Sequence, residues 1–228
     1  MAPESVAQVG NLRSSTGRAQ RFTDVMLKVG LTGSIAVGKS FVLGVLAELG
    51  CRVLDADTTA REVVKPGTAG LKSVVEAFGS EVLREDGTLD RTNLGAIVFS
   101  NEEKRQLLNS ILHPFIIVAQ DDQIRNWQRA DSHGIAVIDA ALMIESGGYL
   151  RFDKLIVVHC RPDVQLDRLV LRDGLAPEAA VKRIAAQMSQ EEKIKYADFL
   201  IDTSEGFDSA REQTETVFRE LSGLSDEI

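Results

Sequence analysis

The eight residues from Gly33 to Ser40, GSIAVGKS, follow the pattern G-x-x-x-x-G-K-S. An apolar run, MLKVGLTG, leads into them, and a segment with apolar residues at helical spacing, KSFVLGVLAELG, follows. A strand, a glycine-containing loop and a helix in this order cradle phosphate groups, because the loop turns its N–H groups inward and the helix adds the positive end of its dipole. The sequence therefore predicts a P-loop that binds a nucleoside triphosphate.

Two residues at the end of this loop have different predicted roles. Lys39 is expected to reach the β- and γ-phosphates of ATP, and the hydroxyl of Ser40 to ligate Mg²⁺. The predicted nucleotide-binding residues are Gly33, Ser34, Ile35, Ala36, Val37, Gly38, Lys39, Ser40 and Phe41. The loop indicates nucleotide binding but not the reaction, since GTPases, motor ATPases and small-molecule kinases share it.

Strand and helix patterns alternate on both sides of a long helical stretch. Further strands are predicted at CRVLDAD, GIAVIDAALMI, DKLIVVHC and ADFLIDTS, and Gly50 is expected to end the first helix as its C′ residue. Residues 60–131 read as a helical insertion of the kind that forms a substrate lobe. The predicted fold is an α/β three-layer P-loop NTPase fold with a parallel sheet of about five strands, a helical substrate lobe and a helical lid.

Carboxylates stand at the ends of two predicted strands. In a parallel sheet the strand C-termini line the same crevice as the phosphate loop. One of Asp55 and Asp57 is expected to face the γ-phosphate and take the proton of an acceptor hydroxyl, while the alternative is that either one caps the next helix. Asp139 ends the strand AVID, where it would hold Mg²⁺ directly or through water; the alternative is a surface aspartate.

Two arginines stand four residues apart on a predicted helix. Arg168 and Arg172 share one helix face, and Arg183 lies beyond a bend at Gly174–Pro177. A mobile helical pair with arginines suits a lid that neutralises charge in a phosphoryl-transfer transition state. The alternative is a solvated helix with salt bridges, for example through Asp173.

Composition excludes some classes of protein. The formal net charge of −8 argues against a general nucleic-acid binder, which needs a basic face. The chain has no apolar stretch long enough to span a membrane. Cys51 and Cys160 lie beside apolar runs and are predicted to be buried free thiols, so we expect a cytoplasmic protein. Residues 1–24 are predicted to be a disordered extension, and no pattern indicates an oligomeric state.

Several motifs in a fixed order resemble the dephospho-CoA kinase family. From about Met26 to Leu221 they are GLTGSIAVGKS, DADTTAREVVKPGTAG, FGSEVLREDGTLDR, LLNSILHP, ALMIESG, DRLVLRDGL, AAQMSQEEK and ADFLID. The resemblance implies ATP-dependent phosphorylation of the ribose 3′-hydroxyl of dephospho-CoA. It also implies a single domain over residues 25–222, with a core at 25–59 and 132–222, a CoA-binding insertion at 60–131 and a lid at 166–188.

The resemblance also implies roles for single residues. Asp57 corresponds to the proposed base, and Arg61 is expected near the acceptor substrate. His113 either contacts substrate or caps and shapes a helix ahead of Pro114. With Lys39, Arg168 and Arg172 in catalysis and Ser40 and Asp139 at the metal, these residues make up the predicted site.

The chain departs from the family pattern at the phosphate loop. Ser34 and Ala36 stand where the family has glycines, and Phe41 where it has threonine. Loss of glycine restricts positive φ and close approach to phosphate. Thr203 replaces an asparagine near the predicted adenine side. Two alternatives follow: a P-loop kinase of another small metabolite, and a nucleotide-binding switch without transfer to a metabolite.

Overall fold

A five-stranded parallel sheet forms the centre of the molecule in the computed structural model, which describes residues 26–99, 101–131 and 133–227. Its strands are β1 (Leu27–Thr32), β2 (Arg52–Asp55), β3 (Ile135–Asp139), β4 (Lys154–His159) and β5 (Phe199–Asp202). They lie in the order β2-β3-β1-β4-β5, and every neighbouring pair is parallel. This confirms the predicted fold class. The predicted extension at residues 1–24 lies outside the described residues.

Helices cover both faces of this sheet. Those of the core are α1 (Lys39–Glu48), α6 (Pro162–Asp173), α7 (Pro177–Ala185), α8 (Gln190–Ile194) and α9 (Phe207–Glu227). All five residues of β3 are buried, as expected of a strand covered on both faces. Val42 and Leu46 of α1 and Leu221 of α9 pack into one cluster with the inner residues of the strands. Gly50 has φ +103° just after α1, where a left-handed residue was predicted.

The insertion between β2 and β3 is helical. It contains α2 (Ala56–Glu62), α3 (Ala69–Phe78), α4 (Arg91–Phe99) and α5 (Glu102–Ala130). Val74 and Phe78 of α3 and Leu94 of α4 belong to a hydrophobic cluster separate from those of the sheet. The far end of α5 instead packs Ile124 and Trp127 against the sheet. The 29-residue helix α5 thus joins the insertion to the core.

Two details of local structure differ from the predictions. Helix α5 continues through Pro114, so the alternative in which His113 caps a helix ahead of that proline is wrong. The third strand ends at Asp139, and residues 141–147 form turns rather than continuing the strand. Both cysteines are free and buried, as predicted. No helix among the described residues is long and apolar enough to cross a membrane.

Candidate active site

The phosphate loop joins the central strand β1 to α1. A Cβ on Gly33 would lie 2.4 Å from the carbonyl oxygen of Val158, so the loop passes β4 too closely for any side chain there. Gly38 has φ +87° and precedes α1 without a side-chain cap. Ala36 has φ +61°, and it is the one non-glycine residue with positive φ in the described part of the chain. Of the three substituted positions, this is where the loss of glycine costs backbone strain.

Side chains from distant elements hold the loop on both sides of Ala36. The Ile35 N–H donates to Gln187 Oε1 at 2.8 Å, and Gln165 Nε2 donates to the Ile35 carbonyl at 2.7 Å. Thr203 Oγ1 donates to the carbonyl of Val37 at 2.7 Å. The loop conformation is therefore fixed by hydrogen bonds that do not depend on a ligand.

Lys39 and Asp139 form an ion pair beneath this loop. The pairing follows from topology, because β1 and β3 are neighbours and Leu31 lies in register with Asp139. Burial raises the pKa of the Asp139 carboxyl above its ordinary value, and the ammonium of Lys39 offsets part of that rise. Asp139 is buried at the strand end, so the surface alternative is wrong.

The structure separates the two aspartates at the end of β2. Asp55 is the N-cap of α2, and its carboxylate accepts from the Asp57 N–H at 2.8 Å. Asp57 itself is exposed and lines the cavity beside the phosphate loop. Arg61 follows four residues later in α2 and is exposed. Residues at this spacing share a helix face, so Arg61 lies on the same side of α2 as Asp57.

The two predicted arginines of α6 line the same cavity. Arg168 donates to the hydroxyl of Thr203 at 2.8 Å and to its carbonyl at 2.7 Å. Arg172 pairs with Asp173, which also accepts from Arg183 at 2.9 Å. The hydrogen bond from Arg172 lowers the pKa of Asp173. The predicted alternative of helix salt bridges thus holds for Arg172, which nevertheless lines the cavity.

A cavity of about 620 Å³ brings most of the predicted residues together. Its walls include residues 34–41, Asp57, Arg168 and Arg172. Gly33, Arg61, His113 and Asp139 are not among its lining residues. Asp139 lies below the loop through its pair with Lys39, and His113 is exposed on α5. The cavity can hold a phosphate chain near the carboxylate of Asp57 and the guanidinium groups of Arg168 and Arg172.

Sequence reasoning assigned no role to the glutamines that hold the loop. Gln187 falls in the stretch AAQMSQEEK, whose resemblance to the family was the available signal. Lys193 of the same stretch is fully buried, and its ammonium donates to the Ala141 carbonyl at 2.8 Å and pairs with Glu145. Ala141 lines the cavity, so Lys193 fixes the turn that forms part of its wall.

Two residues at the phosphate loop carry oxygen groups of the kind that divalent cations bind. Ser40 presents an exposed hydroxyl at the start of α1, and Asp139 supplies a carboxylate at the end of β3. Mg²⁺ prefers oxygen ligands and commonly takes one or two from protein and the rest from substrate phosphates and water. Ser40 and Asp139 match that donor set.

A phosphate loop at the carboxyl end of the central strand of a parallel sheet, with a carboxylate and cationic side chains around one cavity, is the arrangement of a P-loop kinase. The family model for dephospho-CoA kinase matches residues 27–209. The chain belongs to the dephospho-CoA kinase family.

Individual relatives agree with this assignment. A dephospho-CoA kinase of Streptomyces avermitilis is 42% identical over 86% of this chain and 94% of its own length. One from Leifsonia xyli subsp. xyli is 40% identical over 87% of this chain and 100% of its own. The solved dephospho-CoA kinase from Campylobacter jejuni has a TM-score of 0.66 at 30% identity, covering 86% of this chain and 97% of that one. A crystal structure from Thermus thermophilus has a TM-score of 0.74 at 26% identity, covering 86% and 98%.

Proposed function

We propose that this protein transfers the γ-phosphoryl group of ATP to the ribose 3′-hydroxyl of dephospho-CoA, giving CoA and ADP. The observation that carries the proposal is the position of Asp57, an exposed carboxylate on the wall of the cavity that the phosphate loop lines. A carboxylate there can accept the proton of an acceptor hydroxyl placed in line with the γ-phosphorus.

The chemistry assigns a role to each predicted residue. Asp57 takes the hydroxyl proton while the 3′-oxygen forms a bond to the γ-phosphorus and the bond from that phosphorus to the β–γ bridging oxygen breaks. Lys39, Arg168 and Arg172 neutralise the charge that builds on the phosphoryl oxygens and on departing ADP. Mg²⁺, which would be held by Ser40 and Asp139, supplies further neutralisation of the β- and γ-oxygens when bound.

The acceptor side of the proposal includes the insertion. Arg61 lies on the Asp57 side of α2, where its guanidinium suits a phosphate of dephospho-CoA. His113 is an exposed side chain of α5 and is proposed as a second substrate contact. Residues 60–131 would then bind the CoA portion and residues 166–188, called the lid segment below, would close over ATP. We also propose that the protein works in the cytoplasm.

The Asp55/Asp57 pair offers a matched test. Asp57→Asn is expected to lower kcat by roughly 100-fold to 10,000-fold, the usual contribution of a general base, with ADP affinity little changed. Asp55→Asn is the control, because asparagine also caps helices and the site keeps its shape. The assay is ADP release coupled to NADH oxidation with dephospho-CoA, a nucleoside monophosphate or shikimate as acceptor.

Three outcomes would contradict this proposal. Near-normal turnover by Asp57→Asn would remove that residue as base. Faster turnover with another acceptor than with dephospho-CoA would change the substrate. Tight ADP binding without transfer to any acceptor would favour a nucleotide-dependent switch.

A further inference from the structure

Two phenylalanines on the wall of the cavity that the phosphate loop lines are in contact with each other. Phe41 in the first turn of α1 and Phe207 at the start of α9 have ring centroids 4.7 Å apart, with planes inclined by 46°. Both line the cavity, and neither belongs to the hydrophobic clusters around the sheet. Phe207 is 68% exposed, so the contact with Phe41 leaves most of its ring surface open.

A second exposed apolar side chain lines the same cavity from another element. Leu171 of α6 is 87% exposed. Two polar side chains that line this cavity already have partners within the protein: the Thr203 hydroxyl donates to the Val37 carbonyl, and Arg168 donates to the Thr203 hydroxyl. The cavity therefore offers apolar surface and an aromatic face in addition to the backbone N–H groups of the phosphate loop and the ammonium of Lys39.

We propose that the Phe41–Phe207 pair is the stacking surface for the nucleobase of the phosphoryl donor and that the base is held mainly by its face. This inference rests on the proposed ATP site. A nucleoside triphosphate with its phosphates at the loop must place its base elsewhere in the same cavity, and a base is planar and apolar on both faces. Stacking on an aromatic ring is tolerant of base identity, because every base has a π-face. Phe41 stands where the family pattern that this sequence resembles has threonine.

The test uses ligands that do or do not carry a base. Phe207→Ala is expected to weaken binding of ADP and of GDP to a similar degree, by about 5-fold to 100-fold, in isothermal titration calorimetry. Inorganic tripolyphosphate carries the phosphates but no base that could stack on Phe207, so its dissociation constant should stay within about two-fold. Phe99→Ala is the matched control, because Phe99 is 89% exposed on α4 and is not among the cavity residues.

A second variant supplies a spectroscopic signature. The chain has a single tryptophan, Trp127 on α5, which packs against the sheet. Phe207→Trp keeps an aromatic face, so ADP affinity should be retained and ADP should quench the fluorescence of the new indole, while tripolyphosphate should not.

Unchanged ADP affinity in Phe207→Ala would overturn the proposal, as would an equal loss for ADP and tripolyphosphate, which would indicate a distorted loop. Binding measured this way is independent of transfer to dephospho-CoA. Wild-type protein that binds ADP with these signatures but transfers no phosphate would refute the proposed function and leave the stacking surface standing.

Discussion

Ala36 has a φ of +61° in the loop that must surround the phosphates, and a Cβ is strained in that conformation. Ser34 and Phe41, the other two residues that replace family glycine or threonine, do not have positive φ. The hydrogen bonds on Ile35 and Val37 hold the strained residue from both sides. The loop therefore keeps a glycine-like shape at a cost in stability.

Ala36→Gly should relieve this strain. The left-handed conformation of an alanine costs roughly 1–2 kcal/mol of stability. Glycine removes this cost but loses roughly 0.5–1 kcal/mol, because the unfolded chain gains conformational entropy. The free energy of unfolding is therefore expected to rise by about 1 kcal/mol. For a chain of this size that raises Tm by about 2–4 °C in calorimetry. Ala47→Gly on the exposed side of α1 is the control and should lower Tm. A Tm decrease of equal size in both variants would contradict the strain.

Burial controls the chemistry of the two thiols. Burial raises the pKa of Cys51 from 9.0 to about 12 and raises the pKa of Cys160 as well. In the unfolded chain the Cys51 thiol would ionise near pH 9, whereas in the folded protein it stays protonated up to about pH 12. Its contribution to stability is therefore constant below pH 9 and falls at higher pH, because only the unfolded state loses the proton.

Urea unfolding at pH 8, 9.5 and 10.5 measures this effect. The free energy of unfolding should fall above pH 9 by at most about 1.4 kcal/mol per pH unit from this thiol. Cys51→Ala, which has lower stability at pH 8 because of the cavity, should show a shallower decline than wild type. Parallel declines in the two proteins would show that Cys51 does not keep its proton in the folded state.

At the scale of elements, Ile35 of the phosphate loop is hydrogen-bonded to two glutamines, one just before the lid segment and one near its end. Gln165 precedes the lid segment and Gln187 lies near its end, and both hydrogen-bond to Ile35. A movement of α6 and α7 must therefore leave these two contacts intact or change the loop. This makes the glutamines positioning residues for the nucleotide site.

Gln187→Leu tests the contact between lid segment and loop. Loss of one neutral hydrogen bond, worth about 1 kcal/mol, should raise KM for ATP by about three-fold to ten-fold with kcat and the KM for dephospho-CoA little changed. Gln106→Leu on the exposed surface of α5 is the control and should leave both constants unchanged. An equal rise in the two KM values for Gln187→Leu would indicate general damage to the fold.

The same elements show which features were accessible to sequence reasoning. Buried strands and a glycine loop are local patterns, so the order of the five strands and the loop between β1 and α1 were predicted correctly, although β3 is shorter than predicted. Ile35 and Gln187 are 152 residues apart, and Val37 and Thr203 are 166 apart. Contacts at such separations depend on the packing of the whole sheet and leave no periodic signal. The choice between Asp55 and Asp57 stayed open for a related reason, since it depends on the residue at which α2 begins.

At the scale of the whole molecule, the long helix α5 connects the hydrophobic core of the insertion with the core at the sheet, because Leu108 and Leu112 pack in the first and Ile124 packs in the second. The sheet core includes the buried residues of β1 and β3, and the insertion core lies between α3, α4 and the first half of α5. The phosphate loop is built on the sheet core, whereas the predicted CoA-binding surface is built on the insertion core. Separate cores predict local opening of the insertion at a lower free energy than global unfolding.

A pair of valines with equal burial tests this division. Val29 of β1 lies in the sheet core and Val74 of α3 in the insertion core, and both are 0% exposed. Truncation of either to alanine removes two methyl groups and should cost about 2 kcal/mol in its own core. Val29→Ala should therefore reduce hydrogen-exchange protection throughout the protein. Val74→Ala should reduce protection in α3 and α4 while the slowest amides of β1, β3 and β4 keep theirs.

The effects of these variants on the binding of the two substrates should also differ, because each substrate is proposed to contact a different core. Val74→Ala should keep the ADP dissociation constant within about two-fold and raise the KM for dephospho-CoA, since an opened insertion lowers the fraction of binding-competent protein. If Val74→Ala reduced the protection of the sheet amides as much as Val29→Ala does, the two cores would unfold as one unit. The proposal that ATP binds on the sheet core and dephospho-CoA on the insertion core would then have no support from stability. The acceptor site would have to be located by mutating the residues that contact the substrate.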